Sequence, residues 1–334
     1  MRVQAIVATA KGGPEVLKLE PVELAWPRHS HDVLVRIEAA GVNPADSYFR
    51  QLGGYITGPA PLVLGHDGAG VVEAVGANVS GFQRGERVCF CHGGIGGDFG
   101  TYAEYAVVPA EQLAKVPESV PLEISAALPL VAITAWEALY DRARVTEGEH
   151  VLIHAGAGGT GHIAVQLAVL RGARVATTVS SLEKIKFVTD LGAELPINYH
   201  DQDFVAAVMD WSSKGAAVAL DNVGGSTILK TYRAMAPYGR IVTLIGTSGD
   251  DADTTAYNRN LTLHNVMMLT PMWKRLRHRL AEQTMILNQA LALVGAGKLR
   301  IHISARFPLD QAAEAHERLD VGGNMGKIVL MRIR

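Results

Sequence analysis

The residues best suited to chemistry lie between Val151 and Ala168. An apolar run, Val151 to Ala155, leads into Gly156-x-Gly158-x-x-Gly161 and then an apolar segment with Ile163, Val165 and Leu167. In a strand–turn–helix unit each glycine has a task. Gly156 permits the tight turn, Gly158 lets backbone approach a pyrophosphate, and Gly161 lets helix pack on strand. Gly159 and Thr160 open the helix, whose free N–H groups and positive dipole end attract an anion. A second group follows the strand Arg174–Val179, which ends in Ser180-Ser181 with Lys184 close behind. An acidic residue at that tip would hold the ribose 2′-hydroxyl of NAD. Hydroxyls and an ammonium suit a 2′-phosphate instead, through hydrogen bonds and charge. Ser181 is also a good helix cap, and the two roles are compatible. The spacing therefore predicts NADPH rather than NADH.

Positioning these groups takes an alternation of strands and helices. The sequence predicts strands at 151–155, 174–179, 195–198, 218–221 and 240–245, with helices at 160–171, 182–191, 202–213 and 225–236 between them. Val266–Leu269 can supply a sixth strand. Such alternation implies a parallel sheet covered on both faces. Residues 1 to about 120 have another texture, short alternating strands separated by Gly/Pro turns, which reads as a mainly β domain. A long helix is expected at about 273–296, carrying the basic cluster Lys274, Arg275, Arg277 and Arg279, which reads as a solvated face. The C-terminal strand–helix–strand pattern (301–307, 309–319, 326–332) is expected to return to the first domain. The expected organisation is α/β: residues 1–121 and 273–334 form a mainly-β domain, and 122–272 a doubly wound nucleotide-binding domain.

Composition narrows the function. The chain has 334 residues, 48% hydrophobic and 19% charged, with a net charge of −2. No basic excess points to nucleic acid, and no apolar run has membrane-spanning length. Two cysteines, Cys89 and Cys91, exclude a disulfide scaffold and fit a reducing cytoplasm.

Several segments in order resemble the zinc-independent quinone oxidoreductase (zeta-crystallin-like) branch of the medium-chain dehydrogenases/reductases. They are Gly41-Val-Asn-Pro-Ala-Asp-Ser-Tyr48, Gly65-His-Asp-Gly-Ala-Gly70, Gly100-Thr-Tyr-Ala-Glu-Tyr105, the glycine turn, Asp221-Asn-Val-Gly-Gly225 and Gly326-Lys-Ile-Val-Leu330. The resemblance implies a GroES-like β-domain plus a Rossmann domain, with cofactor bound between them. Zinc-dependent relatives hold a catalytic metal with Cys, His and Cys. Here Asn43 and Leu130 stand at the first and third of those positions, leaving His66. One histidine does not make a catalytic zinc site, so no metal is expected. By the same resemblance, Asn43 and Tyr48 lie near nicotinamide and acceptor, with Tyr55 a weaker candidate. His66 reads either as a proton donor or as a hydrogen-bonded part of the cleft wall. Thr134, Tyr199, Asn222, Gly246, Leu269, Thr270 and Asn324 are expected at the cofactor, and Lys327 near it. The resemblance further implies a cytoplasmic homodimer, paired through sixth strands, that reduces a small quinone or enone. An enoyl-thioester reductase and a non-catalytic NADPH-binding protein are the alternatives.

Overall fold

The computed structural model describes residues 1–52, 62–95, 98–246 and 254–333. Tyr55 lies outside them. In chain order the elements are β1 (Arg2–Ala8), β2 (Leu17–Glu23), β3 (Asp32–Val42), α1 (Pro44–Leu52), β4 (Leu62–Val63), β5 (Asp67–Val75), β6 (Arg87–Cys91), β7 (Tyr105–Pro109) and β8 (Ala114–Lys115). Then come α2 (Leu122–Ala126), α3 (Pro129–Trp136), β9 (His150–Ile153), α4 (Gly159–Leu170), β10 (Arg174–Val179), α5 (Leu182–Asp190), β11 (Leu195–Asn198), α6 (Phe204–Trp211), β12 (Ala216–Asp221), α7 (Ser226–Ala234), β13 (Met235–Thr243), α8 (Thr255–Asn258) and β14 (Thr262–Asn265). The remainder is α9 (Thr270–Trp273), α10 (Arg277–Gly295), β15 (Ile303–Pro308), α11 (Ala312–Val321) and β16 (Lys327–Met331).

The chain divides into two units, Met1–Ile133 with Leu269–Arg334, and Thr134–Met268. In the second unit six parallel strands take the order β11-β10-β9-β12-β13-β14. In units of sheet order that is 3-2-1-4-5-6, the doubly wound arrangement of dinucleotide-binding domains. Val151, Leu152 and Ile153 are buried completely, as a central parallel strand with helices on both faces requires. Leu152, Ile197, Val208, Ile228 and Ile241 share one core cluster. Burying each such side chain contributes about 1.5–3 kcal/mol.

In the first unit a seven-stranded sheet runs β15-β16-β3-β5-β6-β8, with β7 also on β3. Val33, Val35 and Ile37, alternate residues of β3, point into a core with Val72, Val88 and Phe90, the period-two pattern of a sheet with one buried face. A second sheet has the order β2-β1-β4. The C-terminal strand β16 pairs antiparallel with β3 and parallel with β15, so the last strands complete the first unit.

Three expectations are corrected. The sixth parallel strand is Thr262–Asn265 rather than Val266–Leu269. Val266 and Leu269 are buried without belonging to a strand, because an apolar tetrapeptide does not distinguish strand from buried connection. The unit boundary falls at 133/134, not 121/122. The physical cause is α2, which packs on β3, β5 and β6, and Leu130, whose N–H donates to Asp67 Oδ1 at 2.8 Å. The second boundary falls at 268/269, not 272/273, which puts Leu269 and Thr270 in the first unit.

Candidate active site

The glycine turn is fixed from below by β10. Thr177 Oγ1 donates to the Ile153 carbonyl at 2.6 Å, and Thr178 Oγ1 accepts the Ala155 N–H at 3.1 Å. A Cβ on Gly156 would fall 1.9 Å from Thr177 Oγ1, and one on Gly161 would fall 2.1 Å from the Ala155 carbonyl oxygen. Both positions are closed to any side chain by strand–helix packing. Gly158 differs: its nearest described neighbour would be 3.2 Å from a Cβ. Packing closes this position far less strictly than Gly156 or Gly161, since the Ala155 carbonyl need give only a few tenths of an ångström, and close approach of a phosphate is the further reason for a glycine. Gly158 also caps α4 without a side-chain hydrogen bond, so the helix start at Gly159 and Thr160 has its N–H groups available to an anion. These residues fit a dinucleotide.

The strand-end serines are gathered as a group. Lys184 Nζ donates to Ser180 Oγ at 2.9 Å, and Ser181 Oγ accepts the Lys184 N–H at 3.3 Å as the cap of α5. Tyr199 joins them through its N–H, which donates to the Val179 carbonyl at 3.1 Å, and its side chain is exposed. Asn222, past the end of β12, donates from Nδ2 to the His154 carbonyl at 2.8 Å. Its Oδ1 is buried without a hydrogen-bond partner among the described residues. Gly246 follows β13 with φ +82°, and Thr134 is buried in α3. Apart from Thr134, which lies in α3, these groups lie past the carboxyl ends of parallel strands, and ligands of doubly wound sheets bind at such ends.

In the first unit the predicted residues surround a buried ionic network that sequence reasoning missed. Asn43 is fully buried. Its Oδ1 accepts from Lys327 Nζ, and its Nδ2 donates to Asp67 Oδ2 at 2.9 Å. Lys327 Nζ also donates to the Val42 carbonyl at 3.0 Å and lies 3.6 Å from Asp67 Oδ2. An ammonium can only donate and a carboxylate only accept. The orientation of the amide is therefore fixed, with Oδ1 toward Lys327 and Nδ2 toward Asp67. Burial pushes the Asp67 carboxyl up, opposed by Lys327, and pushes Lys327 down, opposed by Asp67.

His66 is enclosed. Its Nδ1 donates to the Gly93 carbonyl at 2.7 Å, and Nε2 faces Asp46 Oδ1 at 3.6 Å. Both nitrogens point at protein, and the Phe49 ring packs edge-on at 5.5 Å between centroids. Asp46 Oδ2 accepts the Asn43 N–H at 2.8 Å and the Tyr102 hydroxyl at 3.0 Å. Behind Tyr102 stand His316 Nε2 at 3.1 Å and then Arg50, which donates to His316 Nδ1 at 2.8 Å and pairs with Asp320 at 2.6 Å. Burial and the Arg50 charge push His316 down to about 3, so it is neutral, accepts from Arg50 and donates to Tyr102. A detectable signal was present in the sequence: Asp67 and Lys327 are single charges opening the apolar stretches Asp67–Val72 and Lys327–Leu330.

Tyr48, on α1, is 54% exposed, with its ring 5.9 Å from that of Phe49. Leu269 and Thr270 start α9. Asn324 donates to the Arg318 carbonyl at 3.1 Å, and its Oδ1 is buried without a partner among the described residues. The surroundings of Asn43 do not fit zinc. Leu130 contributes a backbone N–H rather than a side-chain donor atom, and the Lys327 ammonium already lies on Asn43 Oδ1, where a divalent cation would be repelled. Among the described residues no three His, Cys, Asp or Glu side chains are grouped to hold a metal, and no helix is long and apolar enough to cross a membrane.

A GroES-like β unit and a 3-2-1-4-5-6 nucleotide-binding sheet in one chain define an oxidoreductase of the medium-chain dehydrogenase/reductase class. Residues 29–118 match the family described as the alcohol dehydrogenase GroES-like domain, and 191–330 the one described as zinc-binding dehydrogenase. A 2-haloacrylate reductase of Burkholderia sp is 35% identical, covering 98% of this chain and 99% of its own length. The quinone oxidoreductase of Mus musculus is 31% identical over 98% of each chain. The structure of Escherichia coli quinone oxidoreductase complexed with NADPH superposes with a TM-score of 0.84 at 26% identity, covering 98% of this chain and 99% of that one. The chain belongs to the quinone oxidoreductase family.

Proposed function

We propose that this protein is an NADPH-dependent, metal-free reductase of quinones or other conjugated carbonyls. The observation that carries the cofactor choice is the Ser180–Lys184 contact at the end of β10, where the strand tip Val179-Ser180-Ser181 has no acidic residue and Glu183 comes only in the first turn of α5. When bound, the nicotinamide supplies a hydride. The protein's residues hold and orient. The glycine turn and the start of α4 take the pyrophosphate, and Ser180, Ser181 and Lys184 the 2′-phosphate. Thr134, Tyr199, Asn222, Gly246, Leu269, Thr270 and Asn324 are assigned to the remaining cofactor surface.

The Asn43 amide, held by Lys327 and Asp67, has a second Nδ2 N–H that we assign to a ligand oxygen. The Tyr48 hydroxyl is the group we assign to donate toward the oxyanion that develops on the acceptor. His66 we assign to the wall, since both ring nitrogens face protein. The Burkholderia relative's name favours a second acceptor class, a 2-substituted acrylate. We also propose a homodimer formed along the exposed edge of β14.

Steady-state kinetics with NADPH and NADH against a panel of quinones, enones, 2-haloacrylates and enoyl thioesters tests the reading. Efficient turnover of a quinone or enone with NADPH, reduced at least ten-fold by Tyr48→Phe, is expected. Equal use of NADH overturns the cofactor assignment. Activity confined to enoyl thioesters overturns the acceptor class, and an unaffected Tyr48→Phe variant removes the tyrosine from the chemistry.

A further inference from the structure

The basic cluster at the start of α10 has four different fates. The Lys274 ammonium lies over the Trp273 ring, 3.7 Å from its centroid. Arg277 clasps Glu111 through two bonds of 2.9 and 2.7 Å. Arg279 pairs with Glu282 at 2.6 Å. Arg275 has no ion pair or side-chain hydrogen bond among the described residues. It also sits at φ +54°, a left-handed conformation uncommon for a residue with a Cβ.

Arg275 lines a cavity of about 850 Å³ built wholly from first-unit residues, within the range of small-molecule sites, roughly 300–1,000 Å³. None of the residues assigned above to cofactor or acceptor lines it. Three carboxylates do, and each is engaged. Asp98 pairs with Arg28 at 3.2 Å, Glu111 with Arg277, and Asp32 accepts the His29 N–H at 2.7 Å. Arg28, Arg275 and Arg277 balance the three carboxylates in number, and Arg275 is the cation of the three without an ionic partner among the described residues. The lining also includes the apolar side chains of Val79, Phe82, Val107, Met272 and Leu280. A guanidinium without an ionic partner among the described residues, in a cavity that also carries apolar side chains, suits a ligand with one anionic end and an apolar body. A planar carboxylate matches the guanidinium fork through two parallel N–H···O bonds. A phosphate would match the charge but leave the apolar side chains unused.

We infer that this cavity is a binding site for a small organic carboxylate, its acid group on Arg275 and its body against Phe82, Met272 and Leu280.

The test uses the full chain, with binding followed by calorimetry and by ligand-observed NMR. The probes are 2-naphthoate, the uncharged 2-naphthylmethanol and inorganic phosphate. Arg275→Gly removes the cation and suits the positive φ, so it is expected to fold, which its thermal midpoint verifies. Arg275→Lys keeps the charge without the fork. Saturable 2-naphthoate binding is expected, weakened about ten-fold or more in Arg275→Gly and partly restored in Arg275→Lys. The neutral probe should bind more weakly than the acid. Absence of 2-naphthoate binding, equal affinity in Arg275→Gly, or equal affinity for the alcohol would each overturn the inference. Binding of phosphate to the exclusion of 2-naphthoate would overturn the organic class.

Discussion

Lys327→Met tests the buried ionic network directly. The substitution keeps the length and most of the volume of the side chain, so it removes charge rather than creating a cavity. Lys327 and Asp67 side chains are 3% and 0% exposed, and no water shell replaces the lost ammonium. Asp67 would keep Asn43 Nδ2 and the Leu130 N–H but lose its counter-charge. Removing one partner of such a buried pair costs about 3–5 kcal/mol. The first unit is of a size at which 1 kcal/mol shifts the midpoint by about 2–4 °C, so its transition should fall by roughly 6–20 °C. Calorimetry follows that transition. The penalty should shrink with acidification. Burial already pushes the Asp67 carboxyl up, and without Lys327 its folded-state pKa rises further. Stability is then retained below the unfolded pKa and lost as pH rises through the folded one. Lys327→Met/Asp67→Asn, which removes both charges, should recover a large part of the loss. A single variant melting within about 2 °C of the parent, or a double variant as unstable as the single, would refute the reasoning.

Gly161→Ala should abolish NADPH binding or the folding of the second unit, because its Cβ meets the Ala155 carbonyl at 2.1 Å. Gly158→Ala should fold normally and weaken NADPH binding, which thermal melting and fluorescence titration distinguish. Lys184→Ala should raise the KM for NADPH by about ten-fold through loss of a charge-assisted bond and leave the KM for NADH unchanged in steady-state assays. His154 and His316 are pushed down to about 4 and about 3 by burial. Their stabilising effect is present above the unfolded value of 6.5 and is lost as pH falls toward those folded values. Each steepens the decline by up to about 1.4 kcal/mol per pH unit. His316→Gln should flatten the acid limb of the first unit's melting curve, and an unchanged limb would refute the assignment.

Much of the nucleotide-binding unit was legible because its signals are local. The ranges 174–179 and 195–198 match β10 and β11 because each is short, β-branched or apolar, and closed by polar residues. The glycine spacing carried the turn for the same reason. The sixth strand was misplaced because Thr262-Leu-His-Asn265 is exposed at a sheet edge and has no apolar signature, while Val266–Leu269 has one without being a strand. In the first unit the mainly-β texture was legible, but the partners of Asn43 were not. Asp67 and Lys327 are distant in sequence, and only the antiparallel pairing of β3 with β5 and β16 brings them together. Long-range charge pairing leaves no periodicity to read.

The pairing of β16 with β3 also imposes an order of assembly. Lys327 and Asn43 are 284 residues apart, and the ribosome adds about 5–20 residues per second. Asn43 and Asp67 thus wait on the order of tens of seconds for the ammonium that neutralises their site. The second unit is continuous in sequence and needs nothing made after Met268. It can consolidate while the first remains open at the edge of β3. The half-built first unit presents an unpaired sheet edge and an uncompensated acid throughout that interval, and this nascent stage is where a chaperone would find its substrate.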